Sequence, residues 1–499
     1  MDFQPKEKLE DIEIINSLKN VTRDGYFSQI MVVLTTGPFL ISFALILNAN
    51  LFIIGLIAAI PSLLRLLQIP SIYLVERIQN RKRITLIFLI VYRSFIFITA
   101  LIPIFFSINI GLMFLLIFLV LQSASASIGH TAWNSWMHDL IPYQKLGIFY
   151  SKRIFLSTIM GIISSLSASF FLNIWNSFQF NDEIYAYSVL FILGYIFGMI
   201  SIFFISKISE PSMITVKSDL KFFQKLKEPF KDVNYRRLLR FLFLWNFSIN
   251  LTTPFFAVYM LEKLELDLML VVILMNISQI INLLFLRVWG YLSDKFSNKS
   301  VLGISCPLFL FCIVLWVFTS LPSIYLLTFP LLITIHILMG ISMAGITLST
   351  GNVTLKLTPR GKANWYLAIT AVINSIALGI APLIGGAFSD IFENSELSWT
   401  FIWTSPNGSS QFQVLNLQGL DFFFIIAFFI GFLSLYQLVL VKEEGEVKNK
   451  ILIYEFFFEL KRIMKNVFHL GSYQKILLNP FNRINNHSKK NSKNFKNEE

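Results

Sequence analysis

Two shortages in the sequence, of cysteine and of charge, decide the class of protein before any motif is considered. The 499 residues include only two cysteines, and 14% of the residues are charged, against roughly 25% in soluble domains. A disulfide-stapled scaffold and a water-soluble globular domain are therefore excluded. Hydrophobic residues make up 55% of the chain, 52 positions are Phe, and mean hydropathy is +0.66. Disordered chains are poor in such residues, so the composition indicates a polytopic membrane protein.

The two cysteines, Cys306 and Cys312, occupy one apolar segment. Their spacing separates them by nearly two turns of a helix, too far for a disulfide. The sequence has no CxxC pair and no cluster of metal-ligand residues. We therefore expect no disulfide, no metal and no other cofactor.

Twelve apolar stretches are each long enough to cross a bilayer as a helix, which takes about 20 residues. They are too long for barrel strands and lack alternation of period two. Because a helix satisfies its own backbone hydrogen bonds in lipid, we predict an all-α, polytopic bundle of twelve transmembrane helices. The predicted spans are 26–47, 51–75, 84–106, 110–132, 149–172, 184–206, 238–260, 268–291, 300–320, 324–349, 364–387 and 420–441.

The net charge of +12 reflects topology. Of the 41 Lys and Arg residues, 37 fall in the tails and loops on the side of the termini or in the first five residues of the spans that begin there, and only Lys263 falls in a loop on the other side. Cytoplasmic loops carry such an excess. We expect a multi-pass protein of a bacterial inner (plasma) membrane with both termini cytoplasmic and no nucleic-acid partner.

The chain repeats itself with an offset of 216 to 218 residues. TTGPF (35–39) matches TTPFF (252–256), LVERIQNRK (74–82) matches LSDKFSNKS (292–300), and LIP (140–142) matches LTP (357–359). Six spans separate equivalent positions, so the repeats share one orientation, as in transporters built from parallel repeats. The expected regions are an N-terminal tail 1–25, a six-helix bundle 26–206, a linker 207–237, a second bundle 238–441, and a C-terminal tail 442–499 with an amphipathic helix 451–470.

GYLSDKFSNKS (290–300) resembles the loop signature of the major facilitator superfamily, and WMHDLIPYQKLGIFYSKR (136–153) resembles the loop that follows its fourth helix. The resemblance implies two parallel six-helix bundles that work by alternating access. It also implies that charged residues near the second and eighth helices hold a cytoplasmic gate closed, while Gly290 lets a neighbouring helix approach closely. The implied gating set is Glu76, Arg77, Arg81, Lys82, Gly290, Asp294, Lys295 and Lys299. The other interpretation of the basic members is that they only enforce topology.

Charges inside the spans are the best indication of cargo, because burying one in lipid costs on the order of 3 kcal/mol. No Asp or Glu lies in the middle of a span, but Arg65, Arg93 and Arg287 lie within spans, the first two near the midplane. Arginines there are candidate ligands of a carboxylate or phosphate. They could equally bond to backbone carbonyls or extend to the interface. His336 is a further candidate, for substrate or proton, with a structural role as the alternative.

Asn246 and Asn250 lie four residues apart and therefore share a helix face. They are weaker candidates for binding substrate, because interhelical hydrogen bonds explain such residues equally well.

The leading function is a secondary active or facilitative transporter, working as a monomer on a small-molecule substrate, with an organic anion as the favoured cargo and a proton as the candidate coupling ion. The alternatives are a polytopic enzyme acting on lipid and a transporter-like sensor. An enzyme should cluster His and carboxylates at one interface, and His138–Asp139 is the only close pair. We therefore do not expect an enzyme.

Overall fold

In the computed structural model, the described residues are 5–7, 9–142, 146–178, 182–213, 227–320, 326–359, 362–392, 395–405, 408–447 and 449–468. Twelve helices in this part of the chain are long and apolar enough to cross a membrane, which confirms the predicted number. They are α1 Asp11–Ile46, α2 Leu51–Ile78, α3 Arg81–Ala100, α4 Ile108–Leu140, α5 Leu146–Phe178, α6 Glu183–Ser206, α7 Val233–Lys263, α8 Leu268–Lys295, α9 Asn298–Ser320, α10 Thr328–Lys356, α11 Ala363–Phe392 and α12 Asp421–Leu440. One-turn helices cover Ile102–Phe105 and Glu228–Lys231.

Several helices extend beyond the apolar stretches that predicted them. α1 begins at Asp11, well before residue 26, so residues 11–25 of the expected tail are helical. Polar side chains set other helix starts: Asn50 accepts the backbone N–H of Ile53, and Asp232 accepts two N–H groups in the first turn of α7. The start of α2 at Leu51 agrees with the predicted span 51–75, whereas hydropathy misses the first turns of α1 and α7 because they lie where these helices leave the apolar layer.

Two helices are interrupted near their middles. In α1 the helix stops at Thr35 and restarts at Pro38. Between them Gly37 has φ +63° and ψ −137°, a conformation open only to glycine. The TTGPF segment therefore breaks the helix, whereas the predicted span 26–47 runs through it without interruption. In α2, a 3₁₀ turn occupies Arg65–Leu67, four residues after Pro61.

The helices form two six-helix bundles, α1–α6 and α7–α12. Because consecutive helices run in opposite directions, their ends lie on two opposite faces of the molecule. The face where α2 ends and α3 begins is called the basic face, and the opposite face, where α11 ends and α12 begins, is called the hairpin face. The bundles meet where α2 packs on α11 and α5 packs on α8.

The hairpin face carries an element that the all-α prediction missed. Strands β1 Glu396–Ser405 and β2 Gly408–Gln418 form an antiparallel pair between α11 and α12, with a bulge opposite the Trp399–Thr400 step. The predicted helical architecture is correct for the membrane-crossing part of the chain, and the hairpin is an addition to it.

The last described element is helix α13, Asn449–Phe468, close to the amphipathic helix expected over 451–470; residues 469 and 470 lie outside the described residues. The helix docks on the basic end of the second bundle. Lys295 of α8 pairs with Glu455 at 2.6 Å, and Phe456 stacks on Trp289 with ring centroids 4.8 Å apart. Tyr454 and Phe457 on another side of α13 are exposed.

Candidate functional site

A cavity of about 670 Å³ lies between the two bundles. The first bundle supplies most of its wall, including the break in α1 at Thr36–Pro38, and the second bundle contributes Thr253 of α7 and Met275 of α8. Because α1 stops and restarts here, the ends of its two helical segments face the cavity. The cavity is of the size that holds small organic ligands.

On the hairpin side of the cavity, α2 and α11 are in direct backbone contact. A Cβ atom on Gly386 would lie 2.6 Å from the carbonyl oxygen of Leu51 and 2.7 Å from Cα of Phe52, and one on Gly55 would collide with the carbonyl oxygen of Pro382. Only glycine allows such an approach. These contacts form the hairpin-side seal, defined by Leu51, Phe52, Gly55, Pro382 and Gly386.

A second contact between bundles lies where α5 meets α8. The side-chain amide of Asn276 donates to Oγ of Ser165 at 2.9 Å, and Asn276 is buried. Two hydrogen-bonding side chains therefore join the bundles beside the packed helix pair.

Arg65 carries a positive charge in the cavity wall. It begins the 3₁₀ turn of α2, and its side chain is exposed to the cavity. The surrounding wall combines apolar side chains with nine further polar ones. These are Thr36, Gln68, Tyr92, Gln122, Ser123, Ser127, His130, Asn134 and Thr253. None of the described lining residues is Asp or Glu, so this charge has no carboxylate facing it across the cavity.

A further compartment of about 730 Å³ follows the wall of the second bundle and shares Thr253 with the central cavity. Asn246 and Asn250, the weaker candidates for binding substrate, line it. Asn246 donates to the side-chain oxygen of Asn374 at 3.1 Å. The described lining residues include Thr347, Thr350, Thr354 and Thr370 and no charged side chain, so this wall offers neutral hydroxyl and amide groups.

Arg93, the candidate anion ligand predicted at a depth similar to that of Arg65, is inside the first bundle and does not line the cavity. It is 2% exposed and donates to Ser201 Oγ at 3.0 Å. Ser201 in turn donates to buried Asp24, which also pairs with Arg153 at 3.0 Å. The network ties α1, α3, α5 and α6 together. Neither hydropathy nor depth along a helix shows whether an arginine side chain points into its own bundle or into the cavity.

The other two candidates also lie outside the lining of both compartments. His336 is buried in the second bundle, where Nδ1 lies 2.8 Å from the carbonyl oxygen of Leu332 and the ring packs edge-on to Trp316. Arg287 of α8 is exposed. Of the six predicted substrate ligands, the structure therefore brings Arg65, Asn246 and Asn250 to the cavity walls.

On the basic face, Arg81 and Lys82 begin α3 at the centre of a charge cluster. The Arg81 side chain is fully buried, and it pairs with Asp139 at the end of α4 at 2.5 Å and with Glu210 at 3.3 Å. The Glu210 carboxylate also accepts the backbone N–H groups of Arg81 and Lys82. A carboxylate there complements the positive helix start. These partners belong to the first bundle and the segment that follows it, not to the opposite bundle.

The second bundle repeats this arrangement with a different source of the paired cation. The Glu443 carboxylate accepts the backbone N–H groups of Asn298 and Lys299 at the start of α9 and pairs with Lys356 at 2.9 Å. Lys356 ends α10 at the position equivalent to Asp139 in α4, and neutral Asn298 takes the position of Arg81. The cation that pairs with the capping carboxylate therefore comes from the fourth helix of this bundle instead of the third. The Lys299 side chain pairs with Glu446 at 2.8 Å.

Glu443 lies outside the membrane-spanning segments, and its pKa is below the ordinary value. Burial alone would raise this pKa, but hydrogen bonds from Lys356, Asn298 and the backbone of Lys299 outweigh burial. The carboxylate is therefore held in its charged form by the fold.

The remaining members of the implied gating set are less enclosed. Asp294 and Arg77 are exposed, Glu76 is half-buried, and Lys295 contacts α13. At Gly290 an added Cβ would meet nothing closer than a Leu348 methyl at 3.9 Å.

The expectation that Gly290 permits close helix packing is therefore wrong. On α10, by contrast, a Cβ on Gly340 would lie 2.6 Å from the carbonyl oxygen of Ser278 in α8. Gly340 supplies the close approach between these two helices.

Sequence reasoning also missed Glu210 and Glu443, the two helix-capping carboxylates. Each follows the last helix of its bundle by a few residues. This shared position is the feature of the sequence that could have identified the two carboxylates as equivalent. No group of three or more His, Cys, Asp or Glu within the described ranges could hold a metal ion.

Comparison with known proteins agrees with this geometry. The Major Facilitator Superfamily model matches residues 25–382, and no curated protein sequence matches the chain. Among solved structures, the nucleoside transporter NupG aligns with a TM-score of 0.60 at 14% identity, covering 87% of this chain and 99% of NupG. A bacterial homologue of the iron transporter ferroportin, in an inward-facing state, aligns with 0.59 at 11% identity, covering 87% and 99%.

A bacterial homologue of the human lysosomal transporter Spinster, inward-facing and unoccupied, aligns with a TM-score of 0.58 at 14% identity, covering 88% of this chain and 100% of that one. At these identities the likeness is one of fold. The family model covers more than half of the chain, and the chain therefore belongs to the Major Facilitator Superfamily.

Proposed function

We propose that the protein is a secondary transporter that moves a small organic anion by alternating access between its two bundles. The observation that carries the proposal is the central cavity, which presents Arg65 to the solute with no carboxylate among the described lining residues. A guanidinium is well suited to bind carboxylate or phosphate through paired hydrogen bonds.

The two compartments favour a solute with an anionic group and a neutral polar body. Arg65 would hold the anion, with Gln68 and Gln122 of the same wall beside it. Asn246 and Asn250 would bond to hydroxyl or amide groups from the second bundle. A solute that contacts both walls couples its binding to the relative position of the bundles.

The proposed conformation is inward-facing, with the basic face in the cytoplasm. The seal between α2 and α11 closes the hairpin side, and the excess of Lys and Arg on the other face supports its cytoplasmic placement. The Spinster and ferroportin homologues that the fold matches are in inward-facing states.

The experiment is a thermal-shift screen of the purified protein against organic anions and their neutral analogues, followed by uptake of the hits into proteoliposomes. A hydrogen bond to a charged group contributes about 1.5–3 kcal/mol, so Arg65→Gln should weaken anion binding by about 10- to 150-fold. Binding of neutral analogues should change little.

Arg287→Gln is the matched control, because it removes an exposed span arginine that lines neither compartment. Equal anion affinity in wild type and Arg65→Gln would overturn the assignment of Arg65. Failure of every solute to cross the bilayer, with binding intact, would favour a sensor over a transporter.

A further inference from the structure

The β-hairpin on the hairpin face has no charged residue between Leu397 and Gln418. It is fixed at its base: Lys263 of α7 pairs with Asp421 at 2.5 Å and donates to the carbonyl oxygen of Gln418 at 3.3 Å. The base of the hairpin is therefore anchored to α7 at the start of α12.

The two faces of β1 differ in chemistry. Successive side chains of a strand point to opposite faces, so Leu397, Trp399, Phe401 and Trp403 share one face, called the aromatic face. The rings of Trp399 and Phe401 lie 5.5 Å apart. The other face carries Ser398, Thr400, Ile402 and Thr404 and is mainly polar.

No residue in the part of the chain that the structure describes covers the aromatic face. Its four side chains are between 53% and 69% exposed. Apolar faces of this kind mark contacts with a membrane or another protein. An isolated two-stranded hairpin is only marginally stable in water, so a surface that covers the aromatic face would also stabilise the strand pair.

The lipid-facing surface of the bundle leads directly to this face. Phe388 and Ile391 in the last turns of α11 are exposed, and the chain runs from them into β1. Trp side chains concentrate at the membrane–water interface, where an apolar ring meets a wet edge. The hairpin has two of them on one face, at the level where α11 and α12 leave the apolar layer.

We propose that the aromatic face of the hairpin is a lipid-binding surface, seated at the headgroup level of the hairpin-side leaflet with the polar face toward water. The occupant is the bilayer surface itself. Because the hairpin strands carry no charge beyond Glu396, the contact is apolar and does not depend on anionic lipid or on salt.

The test uses Trp403→Cys and Thr404→Cys, neighbours on opposite faces, each labelled with an environment-sensitive fluorophore. Cys306 and Cys312 are free but buried, so labelling is directed to the introduced thiol. The full-length protein is placed in phosphatidylcholine nanodiscs, one copy per disc. The label at 403 should be quenched several-fold more by lipid-borne spin label than by iodide, and the label at 404 should show the reverse.

Phe401→Cys and Thr400→Cys form a second matched pair, used if a change at Trp403 unfolds the hairpin. Adding phosphatidylglycerol or salt should leave the quenching at 403 by lipid-borne spin label unchanged. Equal iodide quenching on both faces would overturn the proposal. So would shielding at 403 that appears only with two copies per disc, which would indicate a second copy as the occupant.

Discussion

Replacing Gly386 with alanine should shift the protein toward a conformation that is open on the hairpin face. The new Cβ atom would lie 2.6 Å from the carbonyl oxygen of Leu51 and 2.7 Å from Cα of Phe52. Both neighbours are backbone atoms, which cannot rotate away. The closed seal must therefore separate or distort, while the gain in helix propensity applies to both conformations and cancels.

Overpacking of this kind costs about 1–3 kcal/mol, which corresponds to a change of about 5- to 150-fold in the equilibrium between the two conformations. The assay is the rate at which a membrane-impermeant maleimide, added on the hairpin side, modifies Thr253→Cys. Thr253 lines both cavity compartments. The rate should rise in the Gly386→Ala background.

Gly290→Ala is the control, since its Cβ would meet only a methyl group at 3.9 Å. Gly55→Ala tests the same seal from the opposite helix, where the new atom would collide with Pro382. If folded Gly386→Ala and Gly55→Ala proteins are both modified at the wild-type rate, the seal does not control access and the reasoning fails.

Two further predictions concern the capped helix starts. Arg81→Ala should lower the unfolding free energy by about 3–5 kcal/mol in denaturant titrations, because it leaves the buried Glu210 carboxylate without its ion-pair partner. Glu455→Ala, which breaks an exposed pair, should change the unfolding free energy little. Similar losses in the two variants would refute the distinction between the buried and the exposed pair. Glu443→Gln should destabilise most near neutral pH. Because the fold lowers the Glu443 pKa, the stabilising effect of the charged carboxylate is complete above the ordinary pKa of 4.5 and is lost as pH falls below that value. A difference in thermal midpoint between wild type and variant that stays constant with pH would contradict this prediction.

The number of helices and the repeat could be predicted from the sequence because they depend on hydropathy summed over whole spans. The direction in which a side chain points could not. Arg65 and Arg93 lie at similar depth, yet one faces the cavity and the other bonds to Ser201 inside its bundle. Depth follows from counting residues along a helix, whereas direction depends on which neighbours the helix packs against.

The hairpin illustrates a different limit. LSWTFIWTS (397–405) alternates apolar and polar residues over much of its length, which is the pattern of a strand with two unlike faces. In a chain dominated by apolar helices, a short alternating segment between two spans is easily taken for a loop. The break at Gly37 was missed for a related reason, because the apolar stretch continues through it.

The two capping carboxylates have a consequence for biosynthesis. Glu210 and Glu443 each come after the last helix of their own bundle and hold the start of its third helix. The N-terminal half can therefore form this contact once residue 210 has left the ribosome, before α8–α12 are made. The described partners of Glu210 all belong to the first half, so a chain halted late in α7 would already have its N-terminal bundle closed by this carboxylate.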